Sequence, residues 1–115
     1  MISNSYTLTG RNIEASVTEF VRNFFHSAYE SNYQGGFLRV FEDYSFWNKN
    51  NFLVCIRVDT SDAENGKIRI EVISGGKSEQ VLVSSIFGNE RRRIKGFAKS
   101  LHTFCNEQMI NYTAD

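Results

Sequence analysis

The chain has 115 residues, no proline, and thirteen Lys+Arg against thirteen Asp+Glu, for a formal net charge of zero. That length fits one domain spanning residues 1–115, able to bury roughly two-thirds of its unfolded surface without a metal or disulfide staple. Neutrality argues against a general nucleic-acid binder and against electrostatic attachment to an anionic membrane.

Hydrophobic content of 41% and charge of 23% are ordinary globular values and argue against disorder. Sixteen residues are aromatic, ten of them Phe, while Leu occurs five times. Met1 to Tyr6 has neither a basic start nor an apolar run, so it does not read as a signal peptide. No stretch approaches 18 continuous apolar residues, so no membrane span is expected. Cys55 and Cys105 lie fifty apart with no CxxC spacing, the pattern of reduced thiols, which places the chain in the cytoplasm.

In chain order, residues 3–8 read as a short strand. From Asn12 the pattern turns helical. Ile13, Val17, Phe20, Val21, Phe24, Phe25, Ala28 and Tyr29 share one face, with Asn12 as N-cap and Glu14 in the acidic first turn. Ser31 to Gly36 reads as a loop. Four strands follow. Phe37 to Trp47 places Leu38, Val40, Glu42, Tyr44 and Phe46 on one parity. Phe52 to Thr60 places Phe52, Val54, Ile56 and Val58 together, and a polar loop ends in Asn65-Gly66. Lys67 to Ser74 alternates Ile68, Ile70 and Val72 against Lys67, Arg69 and Glu71. Gln80 to Phe87 reads as the last strand, and Asn89 to Tyr112 as a long amphipathic helix, started by Gly88 and Asn89, with Ile94, Phe97, Ala98, Leu101, Cys105, Gln108, Met109 and Tyr112 on its seam.

The order (β)-α-β-β-β-β-α with short connections predicts an α+β fold. It is a four- to five-stranded antiparallel meander with two helices on one face. The same order occurs in helix-grip, TBP-like architectures, an analogy of fold alone.

Val40-Phe41-Glu42-Asp43-Tyr44, an Asn-rich turn, Ile73-Ser74-Gly75-Gly76, Gly88 and a final helix together carry a likeness. Over residues 37–104 the chain resembles an uncharacterised family of small bacterial proteins, found largely in Firmicutes and filed as a domain of unknown function. Lys77-Ser78 and Arg91-Arg92-Arg93 depart from that pattern. The resemblance implies a fold and brings no catalytic residues.

The chemistry-bearing candidates are few. Gly76-Lys77-Ser78 ends like a P-loop, but position 71 is Glu where that motif needs Gly, so a turn is the better reading. Glu42 shares parity with Leu38 and Val40; if that face is buried, its pKa rises toward that of a general acid or base, with Tyr44 or His102 as partner. The plain alternative is an outward carboxylate. His26, His102 and the two cysteines form no metal-ligand spacing, so neither a metal nor a cofactor is expected. Arg91, Lys95, Lys99 and His102 line one stripe with Arg92 at its margin, and an anionic ligand or phosphate could sit on Arg91, Arg92, Lys95 and Lys99. Set at the start of a helix, that charge opposes the dipole, so helix stability does not account for it. A solvated face is the plain alternative.

The opposite sheet face, with Phe37, Arg39, Phe41, Asp43, Trp47, Leu53, Cys55, Arg57, Asp59, Lys67, Arg69, Glu71 and Ile73, mixes charge with large apolar groups. Phe37, Phe41, Trp47 and Leu53 mark it as an interaction surface. The expectation is therefore a non-enzymatic ligand- or protein-interaction module, with homodimerisation through this face preferred. A small apolar ligand between long helix and sheet is a further possibility. The rivals are an enzyme using Glu42 and a phosphate or nucleic-acid binder using the basic stripe.

Overall fold

The computed structural model describes residues 2–24, 29–45, 50–76 and 83–115. Within these, the side chains of residues 2, 41–45, 50–52, 75–76 and 83–94 are not described. The elements are β1 (Ile2–Thr9), α1 (Glu14–Phe24), β2 (Tyr29–Tyr33), β3 (Gly36–Ser45), β4 (Asn50–Asp59), a 3-10 turn (Ala63–Asn65), β5 (Lys67–Gly76), α2 (Val83–Gln108) and β6 (Asn111–Ala114). This is an α+β fold with one antiparallel sheet in the order β2-β3-β4-β5-β1-β6. The sheet has six strands, against the four or five expected.

Two of the strands depart from the sequence pattern. Tyr29–Tyr33, which reads as the end of the first helix and a loop, forms an edge strand, with Tyr29 opposite Val40 and Tyr33 opposite Gly36. Gly35 turns the hairpin at φ 97, and a Cβ on Gly36 would stand 2.1 Å from the Val58 carbonyl oxygen, so β4 can approach only a glycine there. The second unexpected strand, β6, follows the long helix and pairs Leu8 with Tyr112.

The strand expected at Gln80 to Phe87 is replaced, from Val83 on, by helix; residues 80–82 lie outside the described ones. Val83, Ile86 and Phe87 leave no polar parity, and such an apolar run fits a strand or a helix equally. Gly88 and Asn89, expected at a helix start, are interior to α2. At the first helix, Ile13 takes the capping position: its carbonyl accepts from the Val17 amide at 2.9 Å and from Ser16 Oγ at 3.1 Å. Asn12, expected as the cap, lies one step earlier at φ 54, in the left-handed region that asparagine tolerates.

Both helices lie on one face of the sheet. Val17 and Val21 of α1 and Phe97, Leu101 and Cys105 of α2 meet Tyr6, Leu8, Val54, Ile56, Val58, Ile68, Ile70 and Val72. Phe20 bridges the helices, stacked 4.6 Å from Phe104 and 6.0 Å from Phe97. The seam of α2 stops at Cys105; Gln108 and Met109, expected on it, are exposed.

Strand β3 reverses its expected facing. Phe37 pairs with Val58 and Arg39 with Ile56, and directly opposed residues share a face. Phe37 is 4% exposed, so it is core and not outer surface. Leu38 and Val40 share the face turned away from the helices, opposite Arg57 and Cys55.

Candidate interaction surface

Each strand puts alternate residues on the face that no helix covers. The ladders across the sheet give three rows. One is Tyr29, Val40, Cys55, Ile73 and Ser3. The next is Ser31, Leu38, Arg57, Glu71 and Ser5. The third is Tyr33, Gly36, Asp59, Arg69, Thr7 and Thr113. Leu53 stands beside the first row, opposite Gly75. On this face Tyr29 is 69% exposed, Leu53 52% and Tyr33 46%. Leu38, Val40, Cys55 and Ile73 between them are half-buried. The apolar residues cluster over β2, β3 and β4 with Ile73 of β5; β1 and β6 present hydroxyls.

The charges are set close together. Asp59 accepts from the Ser61 amide at 3.0 Å and from Ser61 Oγ at 2.6 Å, which holds its carboxyl below the usual range. Arg69 reaches Asp115 at 3.8 Å, and Thr7 Oγ1 donates to the same carboxylate at 3.1 Å. Partial burial, with Glu71 nearby, pushes the Cys55 thiol above its ordinary pKa, so at neutral pH it is a thiol and not a thiolate.

Of the residues expected at this surface, Leu53 is on it and Phe37 is not. Phe41 belongs to β3 with its side chain outside the described ones, and Trp47 lies outside the described residues altogether. The outer row instead holds Tyr29 and Tyr33, hidden from sequence reading because nothing in the pattern marks β2 as a strand.

The acid–base candidates do not converge. Glu42 pairs with Leu53 and Tyr44 with Asn51 in the β3–β4 ladder; their side chains are outside the described ones. His102 is exposed on α2, its Nε2 lying 3.2 Å from Asn106 Nδ2 and its ring 5.6 Å from that of Tyr112 on β6. Strands β3 and β6 stand four inter-strand steps apart, about 19 Å at ~4.8 Å each. That separation keeps His102 from acting with Glu42 or Tyr44.

Lys95, Lys99 and His102 lie exposed on α2, while the Arg91 and Arg92 side chains are outside the described ones. Because α2 starts at Val83, this charge sits in mid-helix and not in a first turn. The helix dipole therefore does not oppose it.

A charge cluster joins α1 to the β2 edge. Arg22 donates from Nε and Nη2 to the two Glu30 oxygens, at 2.8 and 3.1 Å, and its guanidinium lies 4.9 Å above the Phe37 ring. Arg39 reaches Glu30 at 3.5 Å. The Arg22 hydrogen bonds hold Glu30 below the ordinary carboxylate pKa. The sequence pattern does not single out Glu30, and it places Arg39 on the outer face. Arg22 lies 8 residues before Glu30 and 17 before Arg39, and only their meeting in space shows why each is needed.

An open groove of about 1240 Å3 runs between the exposed flank of α1 and the 3-10 turn, past Arg11, Glu14, Glu19 and Glu64. Among the described residues, no three His, Cys, Asp or Glu group closely enough to hold a metal ion. No described helix is long and apolar enough to cross a membrane. Models of known protein families, curated proteins and solved structures return no match to this chain, so the site's own geometry carries the functional reading.

Proposed function

We propose that this chain is a non-enzymatic, cytoplasmic binding protein that homodimerises through the uncovered face of its sheet. The observation that carries the reading is Leu53, Tyr29 and Tyr33 exposed together on that face, contiguous with Leu38, Val40, Cys55 and Ile73. Among the described residues the helices cover only the other face, which leaves this apolar surface for a partner to take. Burying one such side chain fully stabilises by roughly 1.5–3 kcal/mol.

The dimensions fit. Five inter-strand steps give a width of about 24 Å, and a ten-residue strand is about 33 Å long. The shorter edge strands trim that outline to on the order of 700 Å2. A standard interface takes roughly 800 Å2 per partner. Basic Arg57, Lys67 and Arg69 intermix with acidic Asp59, Glu71 and Asp115, so the face repels neither sign as a whole. Cys55 and Cys105 are both free, as a reducing compartment requires.

Sedimentation velocity tests this. The wild-type protein sediments as a dimer at micromolar concentration, and Leu53→Glu, which alters an exposed position, sediments as a folded monomer. A wild-type chain that stays monomeric at the highest soluble concentration removes the proposal.

A further inference from the structure

The register of β4 against β5 says how the second copy sits. We infer that the two copies pack face to face about a two-fold axis lying parallel to β4 and β5, midway between them. This inference rests on the homodimer reading and specifies it. The sheet order puts β4 and β5 at the centre of the six strands, so this axis gives the largest overlap. Such an operation sets each residue of β4 and β5 over its own cross-strand neighbour, now in the other copy, and sets β3 over the partner's β1 and β2 over the partner's β6, row by row.

The pairs this produces along the axis are complementary. Arg57 lies over the partner's Glu71, and Glu71 over the partner's Arg57, because Arg57 and Glu71 are register partners. Asp59 and Arg69 exchange in the same way, and Cys55 lies over the partner's Ile73. Size matches as well as charge. Leu53, 52% exposed, lies over the partner's Gly75. Leu38 and Val40 on β3 lie over Ser5 and Ser3 of the partner's β1, and Tyr33 on β2 over the partner's Thr113 on β6. Large side chains meet small ones, and the Arg57–Glu71 and Asp59–Arg69 pairs each occur twice across the interface. Packed sheets keep an angle of roughly 30°, so the match is tightest along the axis, where Arg57, Glu71, Cys55 and Ile73 stand. A different protein has no reason to carry this pattern; a second copy carries it by symmetry.

The axis makes an unusual demand on charge reversal. In Arg57→Glu, the introduced glutamate faces the partner's Glu71, a like charge. In Glu71→Arg, the introduced arginine faces the partner's Arg57, again a like charge. Each variant alone weakens the dimer by about tenfold or more. Mixed in equal amounts, the two variants form a heterodimer. The glutamate introduced in one then meets the arginine introduced in the other, and the native Arg57 of the second meets the native Glu71 of the first. The double variant, with both charges exchanged, dimerises by itself. Neither single variant disturbs a core residue, and circular dichroism verifies that each folds.

Native mass spectrometry of the two variants, one isotopically labelled, reads the outcome. Monomers apart and a heterodimer together support the axis. If the wild type dimerises and Leu53→Glu dissociates it, yet the mixed variants stay apart or either single variant dimerises at full strength, the axis is wrong and the face remains. If the wild type is monomeric, the homodimer reading falls together with the axis.

Discussion

Arg39 Nη1 donates to the Arg22 carbonyl oxygen at 2.6 Å, so a strand side chain closes the last turn of α1. The carbonyls of a helix end have no partners within the helix, and a cation there also meets the negative end of the dipole. With its side chain only 11% exposed, Arg39 is the most buried member of the Arg22–Glu30–Arg39 cluster.

Replacing Arg39 by Met keeps much of the packing and removes the bond. A hydrogen bond from a charged donor to a carbonyl is worth about 1.5–3 kcal/mol, and its loss leaves that acceptor short of a partner. Arg39→Met is expected to lower stability by about 2 kcal/mol in urea unfolding, whereas Arg39→Lys loses less. Equal stability of Arg39→Met and wild type would show that the contact contributes nothing.

The same cluster predicts an acid-side effect. Arg22 lowers the folded pKa of Glu30 below its ordinary value of 4.5. A depressed carboxylate contributes stability that is present above the unfolded pKa and lost as pH falls through the folded one. Wild-type stability should therefore drop more steeply than that of Glu30→Gln below pH 4.5. At pH 7 the substitution should cost about 1 kcal/mol or less, since Arg22 is well exposed and screened by solvent. Parallel pH profiles of the two proteins would contradict this.

The two cysteines should separate in reactivity. Cys105 is 1% exposed, and burial raises its thiol to about 11. Cys55 lies on the uncovered face and is half-buried. Iodoacetamide at about pH 8 is expected to label Cys55 alone in the native state and both thiols in urea. Labelling of Cys55 should slow as protein concentration rises if the proposed dimer covers it. Linkage adds a second check. The unfolded thiol ionises near 9 and the folded one near 11, so stability is full below pH 9 and falls as pH rises through 11. Relative to Cys105→Val, the wild type should lose roughly 3 kcal/mol over that interval, at about 1.36 kcal/mol per pKa unit.

Much of the fold was legible where one parity was apolar and the other polar. Ile68, Ile70 and Val72 against Lys67, Arg69 and Glu71 left one choice of face, and Val54, Ile56 and Val58 followed it. The facing of β3 was not legible, because Phe37 and Phe41 compete with Leu38 and Val40 for the core. Phe37 goes inside, and Arg39 follows it because Glu30 and the end of α1 await a cation there. Neither partner adjoins Arg39 in sequence. Edge strands β2 and β6 escaped for a related reason: Tyr-Glu-Ser-Asn-Tyr and Asn-Tyr-Thr-Ala carry no apolar alternation, and only pairing with β3 and β1 makes them strands. At the candidate surface, Leu53, Cys55 and the β4–β5 charge columns were legible by alternation. Tyr29 and Tyr33 became visible only once β2 existed.

Met109 offers a test of the link between α2 and β6. The Ile110 amide donates to the Cys105 carbonyl at 2.8 Å and the Met109 amide to the Asn106 carbonyl at 3.4 Å, the paired bonds of a left-handed helix stop. Met109 supplies that left-handed residue at φ 57, where a Cβ crowds the backbone and glycine is usual. Its side chain is 91% exposed, so little packing holds it there, while Ile110 beyond it is buried. Met109→Gly should relieve the crowding, a gain partly offset by the freer unfolded chain. The expected net effect is stabilisation of about 0.5–1 kcal/mol. Met109→Val, whose branched Cβ fits this region worse, should destabilise the protein. Thermal melting of the three proteins should rank glycine above methionine above valine, and a glycine variant that melts below the wild type would mean that the exposed methionine side chain itself holds the helix stop in place.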